Sequence, residues 1–166
     1  LPKFQALLYR ARFLYKSYMT TIAIIVAAGS GTRAGGELPK QYQTIGSQPV
    51  ICHTVQAFIS QQAVDDIIVV ISKEHRALYD EAMKGLSLRP PVIGGSTRQE
   101  SVFNGLKAIA ENSTDKGGRP DKVLIHDAAR PLVSIQVIDN VLNALQTSKA
   151  AFPCIAVVDA VWRGEN

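Results

Sequence analysis

From residue 19 onward the chain alternates between two kinds of apolar pattern. In Ile22 to Val26, in "DIIVVIS" at 66–72 and in "KVLIHD" at 122–127, aliphatic residues run almost without interruption. Such runs are what strands covered on both faces require, and they are typical of parallel sheets. Between them lie stretches in which apolar residues recur every three or four positions, the helical period. Pro49 opens "PVICHTVQAFIS", where Ile51, Val55, Phe58 and Ile59 share one helical face. A second helix is predicted through "KEHRALYDEAMK" at 73–84, stopping at Gly85. "PPVIGG" reads as a short third strand, after which Thr97 and Glu100 form a capping box that opens "RQESVFNGLKAIA". "NSTDKGGRPD" is a polar loop. Ser134 heads a last helix through "IQVIDNVLNALQ", and a fifth strand is expected near "AAFPCIAVVD".

Strand and helix in strict alternation, joined by right-handed crossovers, give a doubly wound α/β fold. Its sheet is mostly parallel, with helices on both faces in the Rossmann-like manner. Ligands on such sheets bind beyond the carboxyl ends of the strands. Three loops have that address, those after Val26, Ile93 and Ile125.

Composition adds the scale. The 166 residues, 46% hydrophobic and 19% charged, suit one domain with a real core. No apolar stretch reaches bilayer length, so no membrane partner is expected. The net charge of +4 changes meaning once it is located. Residues 1–18 carry Lys3, Arg10, Arg12 and Lys16 and no acid, and removing those four from the 18 basic residues leaves 14 against 14 acidic ones. The body is therefore neutral, which argues against a nucleic-acid surface. In residues 1–18, Phe4, Leu7, Leu8, Ala11, Leu14, Tyr15 and Tyr18 have helical spacing, as in a basic amphipathic helix. Because Met19 directly precedes "TTIAIIVAAG", this leader reads as a non-native extension or an organelle-targeting segment, and residues 19–166 as the domain. Cys52 and Cys154 form no CxxC and His53, His75 and His126 have no ligand spacing, so reduced thiols in a cytoplasmic protein are expected.

Candidate chemistry starts where the first strand empties into "AAGSGTRAGGELPKQY". Gly29-Ser30-Gly31-Thr32-Arg33-Ala34 formally fits the dinucleotide fingerprint, which would suggest an NAD(P)-linked oxidoreductase. That site also needs a helix starting within the fingerprint and an acid about 20 positions on. Here Gly35, Gly36 and Pro39 break the helix, and no Asp or Glu occurs from Leu38 to Val64. A Walker loop fails for want of GK[ST]. There remain a plain surface loop and a loop whose amides approach a triphosphate, with small Ala27 and Ala28 leaving room for the nucleotide. In the second case Arg33 and Lys40 are positioned to neutralise charge that builds on an attacked α-phosphorus.

"AAGSGTRAGGELPKQY", "GGSTRQESVFNGLKA" and "HDAARP" resemble, in order, three signature segments of the 2-C-methyl-D-erythritol 4-phosphate cytidylyltransferases, members of the nucleotidyltransferase superfamily. "HDAARP" is the more specific piece, since the similar ribitol 5-phosphate cytidylyltransferases tend to show HDAVRP. The resemblance implies a nucleotidyltransferase fold and cytidylyl transfer from CTP to methylerythritol phosphate with release of pyrophosphate. It implies Arg33 and Lys40 as the catalytic cations, and Ala27, Ala28, Gly29 and Gly31 around CTP. Gly95, Arg98 and Ser101 would meet cytosine and ribose, Asp127 and Ala128 would line the triphosphate site, and Arg130 would approach the acceptor phosphate. Magnesium would accompany CTP, its protein ligands left unassigned, and the assembly would be a homodimer. Transfer to another polyol phosphate, such as ribitol 5-phosphate, and a CTP-binding fragment without turnover are the alternatives. The similar enzymes continue beyond this chain's last residue and carry a threonine where Ala160 stands, so an incomplete acceptor pocket is expected.

Overall fold

The structure, a computed structural model, describes residues 20–29, 38–112 and 119–156; the leader expected at 1–18 lies outside them. Elements run β1 (Thr21–Ala27), β2 (Thr44–Ile45), β3 (Gln48–Pro49), α1 (Val50–Ser60), β4 (Asp66–Ile71), α2 (Arg76–Ala82), β5 (Val92–Ile93), α3 (Arg98–Asn112), β6 (Lys122–Asp127) and α4 (Ile135–Ala144). Four strands form a parallel sheet in the order β5-β4-β1-β6. β1 is central and pairs along its length with both neighbours, Ile25 lying between Val69 and His126. Alternation along β1 explains why the run is apolar throughout. Ala23, Ile25 and Ala27 face a large core with Ile51, Val55 and Phe58 of α1, Tyr79 of α2 and Ile138 and Leu142 of α4. Ile22 and Ile24 face the opposite side with Ile68, Val70 and Ile109 of α3. Both faces are thus covered, as a doubly wound sheet demands.

The local signals act as the sequence implies, with three differences. Thr97 Oγ1 accepts from the Glu100 N–H at 3.1 Å and the Thr97 N–H reaches the Glu100 carboxylate at 3.3 Å, a reciprocal capping box. Ser134 accepts from the Val137 N–H at 3.3 Å and opens α4. Gly85 takes the left-handed φ of +86° that ends the second helix. That helix divides, however, into a 3-10 turn at Lys73–His75 and α2 proper. Ile59 is 48% exposed, because it lies about 100° round α1 from Phe58, at the margin of the buried stripe. The fifth strand is absent from residues 151–156, which are irregular, while 157–159 lie outside the described residues. Pro153 has no N–H to donate there, and Phe152 and Ile155 are exposed. A small hairpin, β2 with β3, joins through Gly46 at φ +63°. Among the described residues no helix is long and apolar enough to cross a membrane.

α3 lies on the sheet at Gly105, where an added Cβ would sit 3.0 Å from Ile24 Cγ2 and 3.1 Å from Val70 Cγ2. Gly105→Leu is therefore expected to lift α3 from the sheet and lower stability by about 1–3 kcal/mol in urea unfolding. A stability equal to that of the parent would show that the helix does not depend on this close approach.

Candidate functional site

The carboxyl ends of β5, β1 and β6 lie along one edge of the sheet, with β4 between β5 and β1, and the loops leaving them meet. The Gly94 N–H donates to Ile71 O at 2.9 Å and the Ala128 N–H to Val26 O at 2.9 Å, so each loop continues the ladder for one step before turning away. β6 lies across the point where the chain, having built outward from β1 to β5, returns to the other side of β1. This is the switch point at which open α/β sheets form their ligand crevice.

Ala27 is buried at the end of β1, Ala28 is half-buried and Gly29 is exposed. Small side chains are needed here for packing as well as for space. A Cβ on Gly94 would lie 2.6 Å from Ala28 Cβ and 2.7 Å from Ser101 Oγ, so the first and second loops approach too closely for any side chain at 94. Gln41, in the 3-10 turn Lys40–Tyr42, is 3% exposed and its Nε2 donates to Ala27 O and Gly29 O, each at 2.8 Å. Lys40 precedes it and is exposed. Gly31 and Arg33 lie outside the described residues.

The second loop is held by two side chains of α3. Ser101, 1% exposed, donates to Thr97 O at 2.9 Å and accepts from the Gly95 N–H at 3.2 Å, so its hydroxyl fixes the loop from beneath. The Glu100 carboxylate accepts from the Ser96 hydroxyl at 2.8 Å and the Ser96 N–H at 2.7 Å as well as from Thr97. The Ser96 hydroxyl first, and then the two amides, hold Glu100 below the usual carboxylate range.

At the third loop Asp127 ends β6, half-buried, and binds two cations: Arg98 Nε reaches Oδ1 at 3.0 Å and Arg130 Nε reaches Oδ2 at 3.0 Å. The sequence-predicted Arg98, Asp127 and Arg130 are thus brought into one cluster that joins the start of α3 to the turn after β6. Both guanidiniums are exposed, and each uses one of five N–H donors on Asp127. Two guanidiniums against one carboxylate leave the cluster positive, which suits an anionic ligand. Ala128 is fully buried and its carbonyl accepts from Thr54 Oγ1 of α1 at 2.8 Å. His126, packed on the Phe58 ring at 5.1 Å between centroids, is pushed by burial below its ordinary pKa, against the pull of Asp127.

Among the described residues no three His, Cys, Asp or Glu side chains gather as a metal centre. Asp127 offers one carboxylate, both of whose oxygens already accept from Arg98 and Arg130, so a cation here would take its shell from water or phosphate.

Gln41, Gly94 and Thr54 are the participants that sequence reasoning passed over. Gln41 sits inside the "PKQY" segment and Gly94 beside Gly95, but a carboxamide bonded to carbonyls 12 and 14 residues earlier has no periodic signal. Thr54 looks like one more position of α1, and its partner is 74 residues away.

Known proteins share this chain's sequence pattern and fold. The family model "IspD: 2-C-methyl-D-erythritol 4-phosphate cytidylyltransferase" matches residues 21–166. A 2-C-methyl-D-erythritol 4-phosphate cytidylyltransferase of Cereibacter sphaeroides is 47% identical over 150 residues, covering 89% of this chain and 64% of that protein. A "Bifunctional enzyme IspD/IspF" of Rhodopseudomonas palustris is 46% identical over 141 residues, covering 85% of this chain and 34% of that protein. A crystal structure of a 4-diphosphocytidyl-2C-methyl-D-erythritol synthase superimposes with a TM-score of 0.73 at 29% identity, over 90% of this chain and 66% of that one. The chain spans less than two thirds of the length of these curated relatives.

Thr54→Val keeps the shape of a fully buried side chain and leaves the Ala128 carbonyl without its donor. The expected outcome is a loss of about 1–3 kcal/mol in urea unfolding. An unchanged midpoint would show that this bond does not hold the third loop.

Proposed function

The chain belongs to the 2-C-methyl-D-erythritol 4-phosphate cytidylyltransferase family, and on that footing we propose that it transfers the cytidylyl group of CTP to 2-C-methyl-D-erythritol 4-phosphate and releases pyrophosphate, in the non-mevalonate route to isoprenoids. The observation that carries this reading is the meeting of three strand-end loops, with small residues Ala27, Ala28 and Gly94 as the wall and Arg98 and Arg130 held at the rim by Asp127.

In this reading the triphosphate of CTP lies along Ala27, Ala28, Gly29 and Gly31, and cytosine and ribose lie toward Gly95 and Arg98. Ser101 contributes by fixing the Gly95 amide through its buried hydroxyl. The acceptor's phosphate is the nucleophile and attacks the α-phosphorus in line, forming a phosphorus–oxygen bond as the bond to the pyrophosphate oxygen breaks. A phosphate monoester is largely dianionic at neutral pH, so no side chain has to remove a proton. Catalysis is then alignment and charge stabilisation. Arg33 and Lys40 stabilise negative charge on the equatorial oxygens, and Arg130 receives the acceptor phosphate. Magnesium, when bound with CTP, would supply further neutralisation of the triphosphate, with Asp127 lining the site and its direct ligands left open. The protein acts as a homodimer in the cytoplasm.

A second reading, CTP binding without turnover, is favoured by one observation: Ala160 stands where the similar enzymes carry a threonine. Incubation with magnesium, CTP and the acceptor, followed by pyrophosphate detection, separates the two. Binding of CTP by calorimetry with no pyrophosphate would select the second, and faster turnover with ribitol 5-phosphate would replace the acceptor.

Lys40→Ala and Arg33→Ala are each expected to lower kcat by about 100- to 1,000-fold, or about 3–4 kcal/mol of transition-state stabilisation. Because Lys40 is exposed, its replacement should leave the unfolding midpoint within about 0.5 kcal/mol of the parent. Full activity in the Lys40 variant would remove it from the mechanism.

A further inference from the structure

We propose that Gln41 is a positioning residue for the nucleotide loop and acts on the reaction through Lys40; the proposal rests on the transferase reading above. A buried carboxamide must find partners, and this one spends both N–H groups of a single nitrogen on two main-chain carbonyls of the first loop. Ala27 is the last residue of β1 and Gly29 the second beyond it, so the two bonds tie the point where the loop leaves the sheet to the 3-10 turn that carries Gln41. Carbonyl oxygens at a phosphate site repel the ligand. Engagement by a side chain that is 3% exposed turns these two toward the protein interior.

The same residue fixes Lys40. Lys40 opens the 3-10 turn, whose Tyr42 N–H donates to Pro39 O at 2.8 Å and whose Gln43 N–H donates to Lys40 O at 3.3 Å. Tyr42, 4% exposed, anchors the far side of the turn in the core that contains α1 and α2. The backbone bearing the Lys40 side chain is therefore set relative to β1 by its immediate neighbour. Glutamate cannot replace Gln41, since an ionised carboxylate has no N–H to give and would face two other acceptors. Asparagine keeps the donors on a stem one methylene shorter.

The experiment compares Gln41→Leu, Gln41→Met and Gln41→Asn, alone and combined with Lys40→Ala, in the full-length protein. It reads kcat and KM for CTP by pyrophosphate release, Mg-CTP affinity by calorimetry, and amide hydrogen exchange over residues 27–43. Gln41→Leu is expected to lower kcat about 10- to 100-fold, as misplacement of a reacting group does, with KM changed less than about threefold, and Gln41→Asn to recover part of the loss. On the Lys40→Ala background the same change should lower kcat by less than about threefold, because the two side chains act as one unit. Losses that multiply in the double variant, or an undiminished kcat in folded Gln41→Leu, overturn the proposal. Should Gln41→Leu not fold, Gln41→Met, which keeps the length of the stem, takes its place with the same expected values. If the parent protein binds Mg-CTP and transfers nothing, the transferase reading fails. Gln41 is then judged by exchange and affinity alone: faster exchange over 27–43 with weaker binding supports its positioning role, and no change in either overturns it.

Discussion

β1 is paired in parallel on both sides, to β4 and to β6, and nearly everything at the site depends on that double pairing. The registers bring Ala27 beside Ile71 and Val26 beside Asp127, so the ends of three strands come level. A one-step slip in either register would turn alternate side chains to the wrong face, removing Ile25 from one core and Ile24 from the other. Because the run is aliphatic on both faces, the register is marked by side-chain shape and by the polar contacts at its amino end, where the Thr20 and Thr21 N–H groups donate to Asp121 and Asp65. The loops inherit their mutual placement from this constraint before any of their own contacts form.

Those contacts then divide the work. Close approach between loops is secured by what is absent, a side chain at Gly94 and anything larger than a methyl at Ala28. Orientation is secured by polar groups that are themselves buried: Ser101 beneath Gly95, Thr54 beneath Ala128 and Gln41 beneath the first loop. Charge is left for the rim, where Arg98 and Arg130 share Asp127. Exposed pairs of this kind add little to stability. What they do is hold two long, flexible cations beside the loops that leave β5 and β6.

The core elements were legible because their signals are local. An uninterrupted aliphatic run marks a strand covered twice, a threonine followed three residues later by glutamate marks the start of α3, and Gly85 marks the end of the second helix. The loops that matter were legible too, from their place after strands, and the segments quoted from them carried the family. The rest is decided by partners far apart in sequence. Ile59 lies about 100° round α1 from Phe58, and which side of that apolar stripe is covered is decided by the elements packed on α1 rather than by the stripe itself. The expected fifth strand failed over 151–156, where apolar content alone suggested it and Pro153 opposed it. Gln41 and Thr54 work through carbonyls of other segments, and no composition or period announces a carbonyl's partner.

The pairing of β1 also bears on how the chain is made. Its amino end touches Asp65 through a hydrogen bond spanning 44 positions and Asp121 through one spanning 101, so its two neighbours arrive at very different times. During synthesis "TIAIIVA" emerges first and waits, apolar and β-prone, for a hundred residues before its second edge is covered. Until then it is a template for any extended peptide nearby, and the interval before β6 leaves the ribosome is when a chaperone has most to protect.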